Sequence, residues 1–178
     1  VVVTGSQKGW MVPPGLAMAS FSSRAWEAYA EATMARFYFD FGSAKRYLER
    51  GETPWTPAIS FFYGLDLALD KLFQEGMQQV YERHLNTAQR TRDGIKALGL
   101  TLFADERTAS NTVTAVCVPD GMDGRQLTSL LREEYGVVVA GGQQSLEGKI
   151  FRIGHLGYVT DEDIDGVLEA LSLALPRL

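Results

Sequence analysis

Residues 1–17, VVVTGSQKGWMVPPGLA, decide the fold of the first part of the chain. The three valines at 1–3 are β-branched and apolar, which is typical of a strand covered on both faces in a parallel or mixed sheet. Gly5 ends this strand, and the prolines and glycine at 12–15 mark the loop that follows. The pattern therefore predicts a buried strand that presents Lys8 at its exit.

Composition and charge exclude several classes of protein. The 178 residues carry 22 acidic and 17 basic side chains, a net charge of −5, which argues against a nucleic-acid partner. No apolar run approaches the ~20 residues of a membrane helix, so no membrane partner is expected. The single cysteine, Cys117, excludes an internal disulfide and a thiolate metal cluster built from this chain, so no metal is expected. The cytoplasm is the predicted location.

Helical patterns follow the first loop and a short predicted strand at 16–22. The segment 22–37 begins with serine cap candidates and is rich in alanine, and a shorter helix should end at Gly51. The next helix, within 58–76, is apolar nearly all round at its start, which predicts a helix that is buried or at an interface. Thr56 is a candidate N-cap for it, with Pro57 in its first turn.

The pattern of apolar and polar residues changes after a long polar-faced helix that is predicted from Met77 to Leu98. Strand and helix patterns then follow at 100–104 (strand), 111–119 (strand), 124–136 (helix), 137–142 (strand), 149–157 (strand) and 161–175 (helix). This order predicts a complete small α+β domain at 79–178 with its helices on one sheet face. Residues 1–78 then resemble the tail end of a larger α/β domain, so the fold class is α/β and the chain is expected to be a fragment.

Three segments carry a resemblance to a known family. The segment TGSQKGWMVPPGLA at 4–17 resembles the cofactor-lysine segment of the class V aminotransferases of fold type I. GKIFRIGHLG at 148–157 resembles the family's carboxylate-binding arginine segment, and TPWTPAISFFYGLDLAL at 53–69 its phosphate-binding segment. The segments keep the family's order, and the alanine–glyoxylate and serine–pyruvate (serine–glyoxylate) aminotransferases are the most similar group. The resemblance implies the carboxy-terminal part of an aspartate aminotransferase-like large domain and a complete small domain.

The resemblance implies a role for five residues. Lys8 matches the lysine that forms a Schiff base with pyridoxal 5′-phosphate and then moves the substrate proton as general base and acid. Gln7 matches a ligand of the cofactor phosphate, and Ser6 belongs to the same cofactor-binding turn. Thr56 matches a hydroxyl that binds the phosphate across a dimer interface. Arg152 matches the residue that binds the substrate α-carboxylate with two hydrogen bonds.

Other reactive side chains are interpreted as structural. Cys117 lies in an apolar strand pattern, where a buried thiol is expected instead of a nucleophile. His84 lies on the polar face of the long helix and is expected to be solvated, whereas His155 is expected to serve packing. The acidic cluster at 161–163 suits a helix start, and Thr160 with Asp163 forms a capping-box pattern.

The leading hypothesis is an aminotransferase that acts as a homodimer with a shared active site. It would move an amino group from alanine or serine to glyoxylate or pyruvate. The family's other half supplies an aspartate for the pyridine nitrogen and an aromatic ring for stacking, so this chain alone is expected to be inactive. Three alternatives stay open: a class V lyase or desulfurase, an accessory subunit of a soluble hydrogenase, and a dimerisation module left by truncation.

Overall fold

The computed structural model describes residues 1–178 throughout. The chain forms two compact units, Val1–Lys71 and Leu72–Leu178. The boundary between the units falls within a helix and precedes the domain boundary that the sequence predicts after residue 78. The domain assignment stays a prediction.

The first unit contains a two-stranded antiparallel sheet and short helices. Val2 pairs with Ser20 and Gly5 with Ala17 at the two ends of the ribbon. The first helix begins after Ser22, whose hydroxyl accepts a hydrogen bond from the Ala25 N–H, so the predicted serine cap is confirmed. The elements of this unit are β1 (Val2–Gly5), β2 (Ala17–Ser20), α1 (Ser23–Glu31), α2 (Phe41–Leu48) and α3 (Ile59–Glu75), the last of which continues into the second unit.

One expectation about burial in this unit is wrong, and a second is narrowed to its interface alternative. Val1, Val2 and Val3 are about two-thirds exposed, because their sheet has only two strands and is antiparallel instead of parallel or mixed. The start of α3 is also exposed, with Tyr63 at 74% and Leu67 at 60% of full accessibility. An apolar run predicts a regular element, but burial needs neighbouring elements that the run itself does not supply. The interface alternative for α3 stays a prediction.

The second unit is a small α+β fold, as the sequence predicts. Its three-stranded antiparallel sheet has the central strand at Ile150–Gly154. Its core contains the fully buried residues Val116, Leu127, Leu131 and Phe151. The further elements are α4 (Met77–Ala97), β3 (Val113–Cys117), α5 (Gly124–Tyr135), β4 (Ala140–Gly141), β5 (Ile150–Gly154) and α6 (Asp161–Ala174), with short 3-10 turns at Gln144–Leu146 and Leu175–Arg177.

Sequence signals for element ends vary in accuracy. The capping box of α6 is present, since Thr160 and Asp163 exchange side-chain and backbone hydrogen bonds. The predicted strand at 100–104 is reduced to a single bridge between Leu102 and Val116. Two backbone hydrogen bonds hold it to β3: Cys117 N–H donates to the Thr101 carbonyl and Phe103 N–H to the Ala115 carbonyl. No helix of the chain is both long enough and apolar enough to cross a bilayer.

Candidate cofactor and substrate site

The loop between β1 and β2 carries Lys8 at an exposed position. The loop is closed at its base by Ser6, whose N–H donates to the Leu16 carbonyl at 3.0 Å. Within the loop, the Met11 N–H donates to the Lys8 carbonyl at 2.9 Å, and Met11 takes the left-handed conformation at φ 61°. The Lys8 amine forms no ion pair or hydrogen bond in the structure. A tight turn therefore presents a free primary amine at the end of a strand.

Gln7 places its carboxamide against the end of β1. A Cβ atom added at Gly5 would lie 2.7 Å from Gln7 Oε1, so glycine is what allows the amide to approach the backbone this closely. The loop thus offers an amine from Lys8 and amide donors from Gln7 within two adjacent residues. That set of groups fits a cofactor that carries an aldehyde and a phosphate.

Thr56 is exposed ahead of α3, and its predicted capping role is wrong. The helix begins at Ile59, and the residue that accepts the Phe61 N–H is Ala58. The preceding turn is held instead by Thr53, whose hydroxyl donates to the Trp55 carbonyl at 2.6 Å. The Thr56–Pro57 pair has the pattern of a helix start, but the chain makes a further turn before the helix begins at Ile59.

Arg152 lies in the middle of the central strand β5, and its guanidinium is oriented by the neighbouring strand. Both Nε and Nη2 donate to the Gly141 carbonyl, at 3.1 and 2.8 Å. A guanidinium has donors on more than one edge, so this arrangement leaves the edge formed by Nη1 and Nη2 free. The free edge has the fork geometry that binds a carboxylate with two parallel hydrogen bonds.

Small residues flank Arg152 on both sides. In the register of the sheet, Arg152 lies opposite Ala115 of β3 and Ala140 of β4. Directly opposed residues on neighbouring strands project to the same face with their Cβ atoms ~5 Å apart. The two strands therefore place only methyl side chains directly beside Arg152.

His84 is not solvated, contrary to the sequence-based expectation. Its Nδ1 contacts the Val80 carbonyl at 2.7 Å, and its Nε2 accepts the Gly157 N–H at 3.0 Å. The neutral tautomer with hydrogen on Nδ1 satisfies both contacts. The adjacent Arg83 donates to the Gly157 carbonyl at 2.7 Å and pairs with Glu75. Helix α4 therefore holds the segment that follows β5, a role that helical periodicity alone could not indicate.

His155 and Cys117 have the structural surroundings that the sequence predicts for packing residues. His155 is 1% exposed, and its Nε2 lies 2.8 Å from the Thr114 hydroxyl. Burial lowers the pKa of the His155 imidazole below its usual value, with the nearby Arg92 charge acting in the same direction. Cys117 is half-buried at the end of β3. Neither side chain is placed as a nucleophile or as a solvent-accessible base.

A cavity in the second unit contains none of the predicted site residues. It has a volume of about 770 Å³ and lies between α4 and the start of α6. Its wall includes the charged residues Glu82, Arg83, Asp161 and Glu162. The predicted residues are divided between the two units, with Ser6, Gln7, Lys8 and Thr56 in the first and Arg152 in the second.

Lys8 on a turn at a strand exit and Arg152 on a small antiparallel sheet are the two residues that the resemblance to the class V aminotransferases singles out. The family model of the class-V aminotransferases matches residues 1–167. The chain belongs to this family, as its three sequence segments predict, and the cofactor of the family is pyridoxal 5′-phosphate.

Individual relatives support the same assignment and differ in their names. The chain is 44% identical over 178 residues to a protein of Synechococcus sp. named soluble hydrogenase, small subunit, covering 100% of this chain and 46% of that protein. It is 36% identical to the serine–glyoxylate aminotransferase of Arabidopsis thaliana, covering 98% and 44%. The chain thus spans about half the length of the curated relatives it matches.

A solved structure confirms the fold class. The crystal structure of an alanine–glyoxylate aminotransferase from Nostoc sp. matches with a TM-score of 0.93 and 30% identity, covering 97% of this chain and 47% of that one. The predicted α/β fold, with part of a pyridoxal-phosphate transferase large domain and a small α+β domain, is confirmed at this level.

Proposed function

We propose that the protein is a pyridoxal-phosphate-dependent aminotransferase. It moves an amino group from a small amino acid, alanine or serine, to a small 2-oxo acid, glyoxylate or pyruvate. Membership of the class-V family and the names of relatives that act on glyoxylate support this proposal. The observation that carries it is the free amine of Lys8, which the structure presents on a closed turn at a strand exit.

The residues of the first unit would hold the cofactor. Lys8 binds it covalently through Nζ, and Gln7 and the exposed Thr56 hydroxyl offer hydrogen-bond donors to its phosphate. When bound, the cofactor supplies the electron-withdrawing ring that stabilises negative charge at the substrate Cα. The Lys8 amine, once released, would accept the proton from Cα as a general base and would deliver it as a general acid to C4′, the carbon of the cofactor's former aldehyde.

Arg152 would select and orient the substrate. Its free Nη1–Nη2 edge binds the α-carboxylate, and the Gly141 carbonyl keeps that edge from turning. Binding the carboxylate at two points limits rotation of the substrate, so the Cα–H bond can be held in a reactive orientation. The methyl side chains of Ala115 and Ala140 beside it suit a small substrate.

We further propose a cytoplasmic homodimer with an active site shared between subunits. The exposed side chains at the start of α3, where Ile59 is 58% and Phe62 45% exposed, support an interface beside Thr56. Apolar surface of this kind is typical of subunit contacts. In this arrangement Thr56 of one subunit reaches the cofactor phosphate bound in the other.

Reductive trapping tests the proposed function. The protein produced from its complete gene is incubated with pyridoxal 5′-phosphate, reduced with borohydride and mapped by mass spectrometry. The adduct is expected on Lys8, and Lys8→Ala should abolish it. Lys45→Ala is the matched control, because Lys45 lies in the same unit and its ammonium group lies over the Trp26 ring, away from the loop that carries Lys8 in the sequence. An adduct on another lysine, or none, contradicts the assignment.

A second candidate function follows from the names of two relatives. The similar proteins of Synechococcus sp. and Anabaena cylindrica are named as soluble hydrogenase subunits, which favours an accessory subunit of such an enzyme. Co-purification with a cysteine-rich partner, without the visible absorbance of a Schiff base, would support it. The desulfurase alternative requires a mobile cysteine, whereas Cys117 is hydrogen-bonded within β3. Release of sulfide from cysteine by the protein would support the desulfurase alternative.

A further inference from the structure

Ser6 is the polar residue most completely withdrawn from solvent in the first unit. It is 0% exposed and lies two residues before the exposed Lys8. Buried hydroxyl groups are retained in proteins where they satisfy hydrogen bonds that no apolar side chain could make. The contacts of Ser6 therefore indicate what the residue does.

Every hydrogen-bonding group of Ser6 is used to close the loop on itself. Its N–H donates to the Leu16 carbonyl at 3.0 Å, and its carbonyl accepts the Val12 N–H at 3.1 Å. Its hydroxyl donates to the Pro13 carbonyl at 2.7 Å and accepts the Leu16 N–H at 3.2 Å. A serine hydroxyl has a single hydrogen to donate, and Pro13 takes it. A phosphate oxygen could receive that hydrogen only if the loop contact were broken.

The loop held by Ser6 contains a backbone conformation that needs support. Met11 has φ 61° without being glycine, and such residues persist where the surrounding structure fixes them. The Met11 N–H donates to the Lys8 carbonyl, so the turn at Met11 and the place of Lys8 are coupled. Trp10 is tied in turn to Thr4 of β1 through its Nε1 at 2.9 Å.

We propose that Ser6 is a positioning residue that fixes the Lys8 amine by closing the base of the loop, and that its hydroxyl does not bind the cofactor phosphate. This inference rests on the proposed function, in which Lys8 binds the cofactor. It differs from the sequence-based expectation, which placed Ser6 among the cofactor ligands. The two roles can be distinguished by measuring cofactor binding. A positioning residue affects binding only through the loop residues that it holds, whereas a ligand contacts the cofactor directly.

The first measurement is the rate at which Lys8 captures pyridoxal 5′-phosphate, followed by the visible absorbance of the Schiff base. Ser6→Ala removes both hydroxyl contacts and is expected to slow capture about tenfold, which corresponds to about 1.4 kcal/mol. Ser6→Thr keeps the hydroxyl and should restore most of the rate. Ser20→Ala, an exposed serine of β2, is the matched control and should behave as the wild type. Slowing by less than about threefold would overturn the inference.

The second measurement separates positioning from direct binding. In a background that lacks both Gln7 and Lys8 (Gln7→Ala with Lys8→Ala), noncovalent binding of pyridoxal 5′-phosphate is measured with and without Ser6→Ala. A positioning role predicts a change in Kd below about twofold, since the two loop residues through which Ser6 would act are absent. A larger loss of affinity would identify Ser6 as a ligand and overturn the inference. If Ser6→Ala does not fold, Ser6→Cys keeps the volume and weakens the contacts, and it should slow capture in the same sense. If the borohydride adduct does not form on Lys8, the proposed function fails whatever the Ser6 variants do.

Discussion

Replacing Gly142 by alanine should destabilise the loop that orients Arg152. A Cβ atom at this position would collide with the backbone carbonyl of Leu146 and lie 3.0 Å from Ile150 Cγ1. Nonbonded carbon atoms prefer separations of ~3.5 Å or more, and a backbone carbonyl cannot rotate away as a side chain can. The segment that contains the 3-10 turn Gln144–Leu146 must therefore shift as a whole.

The size of the effect follows from the packing and from the glycine itself. Overpacking typically costs about 1–3 kcal/mol, and the rigid obstacle puts Gly142→Ala at the upper end of this range. Alanine also makes the unfolded chain less flexible than glycine does, which stabilises the folded state by about 0.4–1 kcal/mol and offsets part of that cost. We expect the free energy of unfolding to fall by about 2 kcal/mol.

The same substitution should weaken substrate binding. The Gly141 carbonyl and the Gly142 N–H belong to one peptide group; the carbonyl accepts from Arg152, and the N–H donates to the Ile150 carbonyl at 2.9 Å. A displaced peptide releases the guanidinium, and loss of a charged hydrogen bond costs about 1.5–3 kcal/mol. The KM for the amino acid should rise about tenfold, with a smaller change in kcat.

Gly141→Ala is the matched control for this prediction. A Cβ atom at Gly141 has nothing within 4 Å, so the adjacent substitution adds a methyl group in open space. Urea unfolding and steady-state kinetics on the two variants, in the protein produced from its complete gene, measure both effects. Equal stability of the two variants, or an unchanged KM in Gly142→Ala, would refute the reasoning.

Two further predictions concern the second unit. Leu131→Ala removes a fully buried core side chain and should lower the free energy of unfolding by about 2–5 kcal/mol. Leu173→Ala, at a half-exposed site of α6, should change that free energy by less than about 1 kcal/mol. Denaturant titration measures both values, and similar losses in the two variants would contradict the core assignment. Burial lowers the pKa of His155 below 6.5, so the unfolded chain binds the proton more readily and stability should fall as pH drops below about 6.5, by up to 1.4 kcal/mol per pH unit. Thermal unfolding of wild type and His155→Gln at several pH values isolates this contribution, and parallel pH profiles would show that His155 does not supply it.

The sequence predicts regular elements well where local signals act alone. The long helix expected from Met77 to Leu98 is observed at Met77–Ala97, because its helix-forming residues are followed by Gly99 with a positive φ of 76°. The cap at Ser22 and the capping box of α6 are likewise set by residues within four positions of each other. Such features need no knowledge of the rest of the fold.

Features that depend on distant contacts are less accessible from the sequence. His84 meets Gly157 across a separation of 73 residues, and its place on a polar helix face gives no sign of that partner. The exposure of the first valines depends in the same way on the number of strands in their sheet. The candidate residues Lys8 and Arg152 are accessible through family resemblance, but the contacts that orient them are visible only in three dimensions.

Those contacts share a property that bears on function. Arg152 is held by the Gly141 carbonyl and forms no ion pair, whereas Arg90, Arg125 and Arg177 are each paired with a carboxylate. A carboxylate partner would neutralise the cation and compete with an anionic ligand, while a neutral carbonyl fixes its direction and leaves its charge available. The Lys8 loop is likewise fixed by neutral groups around Ser6. In a chain with a net charge of −5, the absence of a carboxylate partner leaves the charge of Arg152 for a substrate carboxylate in the proposed function. The absence of such a partner at Lys8 leaves its amine free to lose a proton and attack an aldehyde.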